Sequence, residues 1–591
     1  MRSTPAPLQR RIISWMRPLE MLRTSRAEMI VLALAVGAGV GVGAIVFRWL
    51  ISVGTRVLSG HADYSEAGHA PNPHVPWLGP YFVLLAPVVA GLLYGPLVQR
   101  FAREARGHGV PEVMLAVARR GGRIGGRVAV VKSLASALCI GGGGSVGREG
   151  PIVQIGSALG SALGGLVRLS EDRLRLLVAC GAAGGIAATF NAPLAGVFFA
   201  MELILRDFTA ESFGMVVLSS VTASVVGRAA FGDAPFLRLP AFSVQHGSQY
   251  LLFALLGVLA GAIGVLFTRV LYWIEDACDW AWRGPEWLRP AAGGILLGGL
   301  LLALPQLYGV GYPTLQRAVG GGYLAGFLLV LLVGKMLATS LTIGIGGSGG
   351  VFAPSLYIGA MFGMAYGDGV AALAPSQVGV LGAYGLIGMG AVFAGAARAP
   401  ITAVIIIFEL TGEYSLILPL MSAIVLATLT SRVLNRDTIY TLKLRRRGID
   451  LDGDQERQAL AGRTVAQVME SPPEPLRADD TVARAAARLS ESAHGVLPVA
   501  AEDGSYLGTL RARSVAEALA EHQSVTVGDI THRTQPLRPD TELPAALQAL
   551  TEAHGAGLPV LAEDRGPLVG WITYQAVLAQ LGSHRTGTAA S

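Results

Sequence analysis

A short charged stretch interrupts a long apolar part of this sequence. Residues 147–151 read Gly-Arg-Glu-Gly-Pro; they follow glycines at 141–144 and precede an uncharged segment, 152–167. Proline suits the first turn of a helix, and glycine lets the backbone approach a ligand closely. The stretch therefore predicts a loop that ends at a helix N-terminus, whose free N–H groups face an anion. Such a loop lies at membrane depth only where protein encloses it. The alternative is an ordinary cytoplasmic turn between two helices.

The chain repeats this arrangement once, which favours the enclosed loop. Four segments of the first half have counterparts, in the same order, in the second half. The pairs are 107–111 with 309–313, 132–135 with 335–338, 144–156 with 347–359, and 191–202 with 398–409. Paired segments interrupted by Gly and Pro indicate a site at mid-membrane, between two repeats. In this register Glu149 lies opposite Phe352, so a carboxylate and an aromatic ring face one shared site.

The composition indicates a protein with many membrane crossings. Of its 591 residues, 52% are hydrophobic and 15% are charged, a balance typical of polytopic membrane proteins. The arginines of residues 1–28 place this segment in the cytoplasm, with an amphipathic helix at the membrane surface over 8–22. The net charge of +6 therefore reflects membrane orientation and not nucleic-acid binding.

The apolar segments are uneven in length, and many are interrupted by Gly or Pro. This pattern favours broken and half-spanning helices over a bundle of simple crossings. The predicted helices cover residues 29–47, 81–99, 127–139, 152–167, 193–205, 213–230, 250–267, 291–304, 324–342, 355–366, 378–393, 401–408 and 415–430, with a last short helix at 437–444.

Three motifs, at residues 107–111, 147–151 and 350–354, resemble the anion-site signatures of the CLC chloride channel and transporter family. The resemblance covers residues 29–444. It implies an all-α polytopic membrane domain of inverted repeats with broken helices. It also implies chloride transport across the cell (inner or plasma) membrane by a homodimer in which each subunit has its own pathway. Two-fold assembly is also the commonest closed form.

The C-terminal region has the composition of a soluble domain and is itself duplicated. Its two similar motifs, at 493–499 and 553–560, resemble a tandem pair of CBS domains, an α/β fold that we place in the cytoplasm. Nucleotide-binding members carry an acid where Ser514 and Ala576 stand here, so adenine nucleotide is weakly supported as a ligand and a structural or dimer-contact module is favoured. The predicted boundaries are 445–463 for a linker, 464–522 and 523–582 for the CBS-like halves, and 583–591 for a tail.

The resemblance makes Glu149 the external gate. An ionised carboxylate beside an anion path occupies the place of the anion, and it leaves that place when protonated. The alternative is a structural ion pair between Glu149 and Arg148. The anion itself needs N–H and O–H donors, which converging helix ends supply. The predicted anion-binding residues are His108, Arg148, Gly150, Val351, Phe352 and Tyr440.

Two of these ligands have simpler interpretations. Tyr440 aligns with the family tyrosine whose hydroxyl faces the anion, but an interfacial aromatic residue is the alternative. His108 stands where the family usually has serine. Its imidazole can still donate to an anion and can carry a proton, although a surface-loop histidine is the alternative.

The proton path departs from the family pattern at Leu203. The exchangers of the family commonly carry a second acid at this place, after Glu202, and a hydrocarbon side chain cannot carry a proton. The proton-path candidates are Glu149, His108 and Glu202. Glu202 and its repeat mate Glu409 are also expected to brace neighbouring helix ends. The sequence therefore favours passive chloride conduction, with proton-coupled chloride antiport along an altered route as the alternative.

Two further classes of protein fit less well. A divalent-cation channel regulated by CBS domains needs rings of acids or carbonyls, whereas these loops offer helix N-termini and one carboxylate. No zinc-protease signature or phosphate-binding loop is present in the sequence, so we predict no enzyme. The three cysteines lack paired spacing, so we predict neither a disulfide nor a metal site.

Overall fold

This structure, a computed structural model, describes residues 26–232, 247–451, 460, 462–492, 495–521, 525–553, 557–563 and 566–579. The chain divides into two compact units, Met1–Ile449 and Asp450–Ser591. The surface helix predicted at 8–22, the predicted tail 583–591 and residues 452–459 and 461 of the predicted linker lie outside the described residues. The predicted domain boundaries thus stay predictions.

The first unit is helical. Its helices, in chain order, are α1 Arg26–Ser59, α2 Tyr64–Ala67, α3 Phe82–Phe101, α4 Val110–Arg119, α5 Arg127–Gly141, α6 Glu149–Leu166, α7 Glu171–Phe190, α8 Pro193–Phe199, α9 Ala210–Phe231, α10 Gln249–Ala281, α11 Arg289–Ala303, α12 Tyr312–Val319, α13 Ala325–Gly344, α14 Phe352–Leu373, α15 Leu381–Ala397, α16 Pro400–Thr411, α17 Ile417–Leu434 and α18 Thr441–Arg445. A π-helical turn, Ala200–Leu205, continues α8. Short 3-10 turns lie at Pro76–Tyr81, Arg103–Ala105, Pro305–Leu307, Pro375–Gln377 and Tyr414–Leu416.

Helix length and composition make this unit a multi-pass membrane domain. Within the described ranges, eight helical stretches are long and apolar enough to cross a membrane. Other apolar helices, such as α15 and α16, are shorter than a full crossing, which requires about 20 residues. The predicted mixture of full and half-spanning helices is confirmed.

The two halves of this unit repeat each other in helix order and backbone conformation. Helices α4–α9 recur as α12–α17. Gly143 and Gly346, in the loops after α5 and α13, both have a φ of 97°. Helices α7 and α15 end at the left-handed residues Asn191 and Arg398, each just before a helix that starts with proline. The predicted duplication is confirmed.

Within each repeat, glycine lets two neighbouring helices pack backbone to backbone, and the two repeats do so at corresponding helices. Gly156 of α6 faces Gly181 of α7, and Gly359 of α14 faces Gly388 of α15; a Cβ atom at any of these positions would collide with the facing backbone. Small residues allow this approach inside membranes, where packing replaces the hydrophobic driving force. The predicted helices did not include α7, because it begins with charged residues and continues in Gly and Ala.

Several other helix bounds differ from the prediction; α1, for example, was predicted over 29–47 and runs from Arg26 to Ser59. Helix α10 was predicted to end at residue 267, but it continues to Ala281 through several charged residues. A loss of apolar character marks the membrane boundary without ending the helix. The last helix was predicted from residue 437 but starts at Thr441, because the Thr438 hydroxyl instead accepts from the N–H groups of Tyr440 and Thr441 and closes a turn.

The second unit contains two small α/β halves. The first half orders β1 Leu476–Arg477, α19 Val482–Glu491, β2 Val496–Ala500, β3 Tyr506–Arg511 and α20 Ala512–Ala520, and the second has α21 Leu543–Glu552, β4 Leu558–Leu561 and β5 Leu568–Ile572. Strand β1 pairs parallel to β2, and β2 pairs antiparallel to β3. In the second half a parallel bridge between Leu537 and Val560 precedes the antiparallel pair β4–β5. Each half has its own hydrophobic core. The motif histidines at 494 and 554 lie outside the described residues.

Candidate anion pathway and gate

The loops that precede α6 and α14 meet at their tips. The N–H of Gly147 donates to the carbonyl oxygen of Gly350 at 2.7 Å, and the N–H of Gly350 donates back to Gly147 at 2.6 Å. The loop before α4 joins them, because the N–H of Gly107 donates to the carbonyl oxygen of Gly347 at 3.0 Å. The first turns of α6 and α14 therefore lie side by side. The N–H groups of a first helical turn have no intrahelical acceptor and can bind an anion.

Glu149 is the first residue of α6 and is 1% exposed. Its Oε1 accepts a hydrogen bond from the hydroxyl of Tyr312. Its Oε2 lies against Gly147 and has no hydrogen-bond partner among the described residues. The N–H groups of Glu149 and Ala353 are close enough to stabilise the carboxylate electrostatically, although neither meets hydrogen-bond geometry with Oε2.

Arg148 does not form the alternative ion pair with Glu149. Its guanidinium lies over the ring of Tyr312, 5.0 Å from the ring centre. One guanidinium nitrogen donates to the carbonyl oxygen of Thr189 at 3.4 Å. The Glu149 carboxylate is thus left to the Tyr312 hydroxyl and the helix ends.

His108 and Tyr440 lie together inside the unit. Each is 1% exposed, and their ring centres are 6.3 Å apart. Both ring nitrogens of His108 are buried without a hydrogen-bond partner among the described residues. A surface-loop histidine and an interfacial tyrosine are therefore the wrong interpretations of these two residues. Buried unpaired nitrogens call for a water or an ion as their partner.

Phe352 begins α14 inside a cluster of aromatic rings. Its ring centre is 4.5 Å from that of Phe393, 5.6 Å from Phe190 and 6.3 Å from Phe199. The cluster draws on both repeats, so it holds the start of α14 against the ends of α7 and α8 of the first repeat. Gly150, which follows Glu149, is so closely packed that a Cβ atom there would collide with the carbonyl oxygen of His108. Val351, which precedes α14, is also buried.

Two buried lysines hold the loops around this site. The Nζ of Lys132 donates to the carbonyl oxygens of Ala105 at 2.9 Å and Gly107 at 2.7 Å. The Nζ of its repeat mate Lys335 donates to the carbonyl oxygens of Gly309 at 3.1 Å and Val310 at 3.0 Å. Sequence reasoning assigned these lysines no role, although their recurrence in the two repeats was the available signal.

Glu202 and Glu409 brace helices of the opposite repeat, as predicted. Glu409 accepts from the N–H groups of Leu194 at 2.9 Å and Ala195 at 2.7 Å, at the start of α8. Glu202 accepts from the N–H groups of Ile401 at 3.2 Å and Thr402 at 2.9 Å, at the start of α16. Each carboxylate satisfies N–H groups that a helix start leaves open. This use engages Glu202, which was also a proton-path candidate.

Two cavities are lined by Arg148, the residue that precedes Glu149. One, of about 320 Å³, is lined by residues that include Arg48, Arg148 and Tyr312. The other, of about 290 Å³, is lined by residues that include Arg48, Arg148 and Arg228. Their arginines favour the entry of anions.

Tyr312 is the contact that sequence reasoning missed. Its motif, 309–313, was paired with 107–111, but no role was given to the tyrosine itself. The available signal was a hydroxyl at the first position of a helix in a loop that the repeat register places at the site.

Comparison with known proteins places these features in a family. Residues 90–432 match the family described as voltage gated chloride channel, and residues 465–521 match the CBS domain. The chain is 35% identical over 376 residues to the putative chloride channel protein ClcB-like of Ralstonia nicotianae, covering 63% of this chain and 87% of the relative. It is 38% identical over 357 residues to the H(+)/Cl(-) exchange transporter ClcA of Vibrio cholerae, covering 59% and 76%.

Solved structures show the same fold. A slow cyanobacterial Cl-/H+ antiporter matches with a TM-score of 0.63 at 28% identity, covering 72% of this chain and 98% of that one. A eukaryotic CLC transporter matches with a TM-score of 0.60 at 21% identity, covering 93% and 97%. The predicted fold, a CLC-like helical membrane domain followed by a CBS region, is confirmed. With the family match spanning more than half of its length, this chain belongs to the voltage-gated chloride channel (CLC) family.

Proposed function

We propose that this protein exchanges chloride for protons across the cell membrane through a pathway gated by Glu149. The sequence favoured passive conduction, because Leu203 replaces an acid. The relatives favour exchange instead, since the matches include proteins named as H(+)/Cl(-) exchange transporters and a Cl-/H+ antiporter.

The observation that carries the proposal is the placement of the Glu149 carboxylate. It is buried where the starts of α6 and α14 converge, and Oε2 has no hydrogen-bond partner among the described residues. While ionised, the carboxylate takes the place of an anion at these helix ends. Protonation removes its charge and its attraction to them, so chloride enters. One group then binds a proton and yields to chloride, which is the minimum that exchange requires.

Chloride needs hydrogen-bond donors in the pathway beside Glu149, and the buried residues there offer them. We assign the backbone N–H groups of Gly150, Val351 and Phe352, the hydroxyl of Tyr440 and the imidazole of His108 as anion ligands. The two unpartnered nitrogens of His108 support this assignment, because a neutral imidazole donates one hydrogen bond and a protonated one adds a charge. Arg148 contributes from the outer side, where it lines both cavities.

The proton needs a second station, and His108 is our candidate. Leu203 is buried and apolar, and Glu202 is engaged at the start of α16. A free imidazole exchanges protons in the physiological pH range. Burial, and then the positive charges of Lys443 and Lys132, hold the pKa of His108 well below its ordinary value, so in our proposal it carries the proton only in transit. A proton route through Glu149 and His108 therefore replaces the usual second acid of the family.

The remaining assignments concern orientation and assembly. We place the arginine-rich N-terminus and the CBS region in the cytoplasm, the pathway in residues 29–444, and two copies of the chain in a homodimer. The CBS region is proposed as a structural or dimer-contact module, since the Ser514 hydroxyl shares a hydrogen bond of 2.9 Å with His532 at the place where nucleotide-binding members carry an acid.

The test is transport by purified protein in liposomes that contain a chloride gradient and no pH gradient, with the membrane potential clamped. We expect chloride efflux to drive protons inward, so the external pH rises as chloride appears outside. Chloride efflux with no uphill proton movement would overturn exchange in favour of passive conduction. Movement of a divalent cation instead would overturn the anion pathway itself.

A further inference from the structure

A tyrosine of the second repeat contacts the proposed gate in the first. Tyr312 is the first residue of α12, and its hydroxyl donates a hydrogen bond to Oε1 of Glu149. The residue is partly exposed and lines the outer cavity of about 320 Å³. The hydroxyl therefore lies at the border between the cavity and the gate.

Two further side chains, those of Arg148 and Phe190, contact the ring of Tyr312. The guanidinium of Arg148 lies 5.0 Å from the ring centre, and the ring of Phe190 meets it edge-on at 6.5 Å. The hydroxyl is thus presented to the carboxylate by a side chain with restricted freedom. Such a preorganised donor loses little entropy when it forms its hydrogen bond.

A hydroxyl that donates to a carboxylate favours the ionised form, which accepts more strongly than the neutral acid. The bond also fixes the carboxylate in one orientation, with Oε2 turned to Gly147. Protonation weakens the bond, and the side chain is then freer to leave. We propose that the Tyr312 hydroxyl latches the ionised Glu149 in its blocking position and thereby sets the pH at which the pathway opens.

Other groups face Glu149 without replacing this contact. Arg148 precedes it, Lys335 approaches from the second repeat, and Tyr440 approaches from the end of the membrane unit. Among the described residues, none of these three side chains donates a hydrogen bond to the carboxylate. These three groups act on Glu149 only through their electrostatic interaction with it, whereas Tyr312 donates a hydrogen bond to it. Tyr312 is a positioning residue, and its role rests on the proposed gate function of Glu149.

The test compares the pH dependence of chloride transport in liposomes for wild type and Tyr312→Phe. The substitution removes the hydroxyl and keeps the ring under Arg148. We expect the midpoint of acid activation to shift to higher pH by about one unit, the size expected for one hydrogen bond to a charged group. Transport at saturating acidity should be unchanged, because the latch is already open there.

Tyr308→Phe is the matched control. It removes the hydroxyl of another tyrosine in the same segment, one that donates to the carbonyl oxygen of Gly141 at 2.7 Å. It does not contact the gate, so its midpoint should match wild type. A shift of equal size in Tyr308→Phe would overturn the latch, because it would show a general effect of losing a buried hydroxyl here.

Glu149→Gln separates the latch from the gate. If Glu149→Gln abolishes the pH dependence while Tyr312→Phe leaves the midpoint unmoved, the latch is wrong and the gate stands. If Glu149→Gln keeps the wild-type profile, the gate fails and the latch fails with it. In the double variant Glu149→Gln/Tyr312→Phe, the pH dependence of chloride transport should equal that of Glu149→Gln alone. A difference between these two profiles would also overturn the latch. Thermal unfolding of each purified variant identifies any that fail to fold.

Discussion

At the scale of single residues, two departures from the family pattern define this protein. In our proposal Leu203 leaves no second proton station at the place where the exchangers commonly have an acid, and His108 brings a titratable ring to a buried position beside Tyr440. The sequence showed both positions and the identity of each side chain. It did not show that the two nitrogens of His108 are left without partners, because that depends on every neighbour in the folded unit.

His108→Ser tests whether His108 takes the place of the missing second acid in the proton route. Serine can still donate to chloride but cannot hold a proton at neutral pH. We expect proton flux driven by a chloride gradient to fall at least about 100-fold, the lower range for a positioned proton-transfer group, while chloride flux persists. Proton flux equal to wild type would show that protons pass elsewhere, and its absence from the wild type would show a passive channel.

Tyr312 shows what sequence reasoning could not reach at this scale. Its motif was recognised as half of a repeat, but contact with Glu149 joins residues that lie 163 positions apart. Spacing and residue type predict which loops approach the site. They do not predict which side chain of a loop contacts Glu149.

At the scale of elements, the two repeats brace each other through a reciprocal pair of carboxylates. Glu409 caps the start of α8 and Glu202 caps the start of α16. The sequence predicted this bracing because the two acids occupy matching repeat positions. The sequence predicted the membrane helices less completely, because α7 was missed and α10 was ended too early. A run of apolar residues indicates a segment that faces lipid, but it does not show how far the hydrogen bonds of a helix continue.

The repeat symmetry supplies a matched pair of variants, Glu202→Gln and Glu409→Gln. Each loses the favourable placement of a negative charge at a helix N-terminus, so each should lose about 1 kcal/mol of stability. We expect similar decreases in thermal stability and unchanged coupling of protons to chloride in both. Loss of proton flux in Glu202→Gln alone would make Glu202 a proton station and contradict its purely structural role.

At the scale of the whole molecule, a duplicated membrane unit carries the site and a duplicated α/β unit follows it. Both duplications were predicted from short motifs, because Gly and Pro mark the loops that a repeat must conserve in geometry. Membership of the CLC family joins this architecture to anion transport.

We expect two copies of the chain to form a homodimer. Closed two-fold assembly is the commonest arrangement of identical subunits, and each subunit carries a complete candidate site. Cross-linking in mild detergent, followed by mass measurement, should give a species of twice the chain mass. Recovery of monomers alone, at cross-linker levels that join a known dimer, would contradict this expectation.

The central claim is that one carboxylate is both the chloride gate and a proton carrier. Its most direct test is the simultaneous measurement of chloride and proton flux, across a range of external pH, for wild type and Glu149→Ala in liposomes. For Glu149→Ala we predict chloride flux that is intact or raised and independent of pH, with no coupled proton movement. A correctly folded Glu149→Ala that carries no chloride, or that still moves protons against their gradient, would contradict the claim.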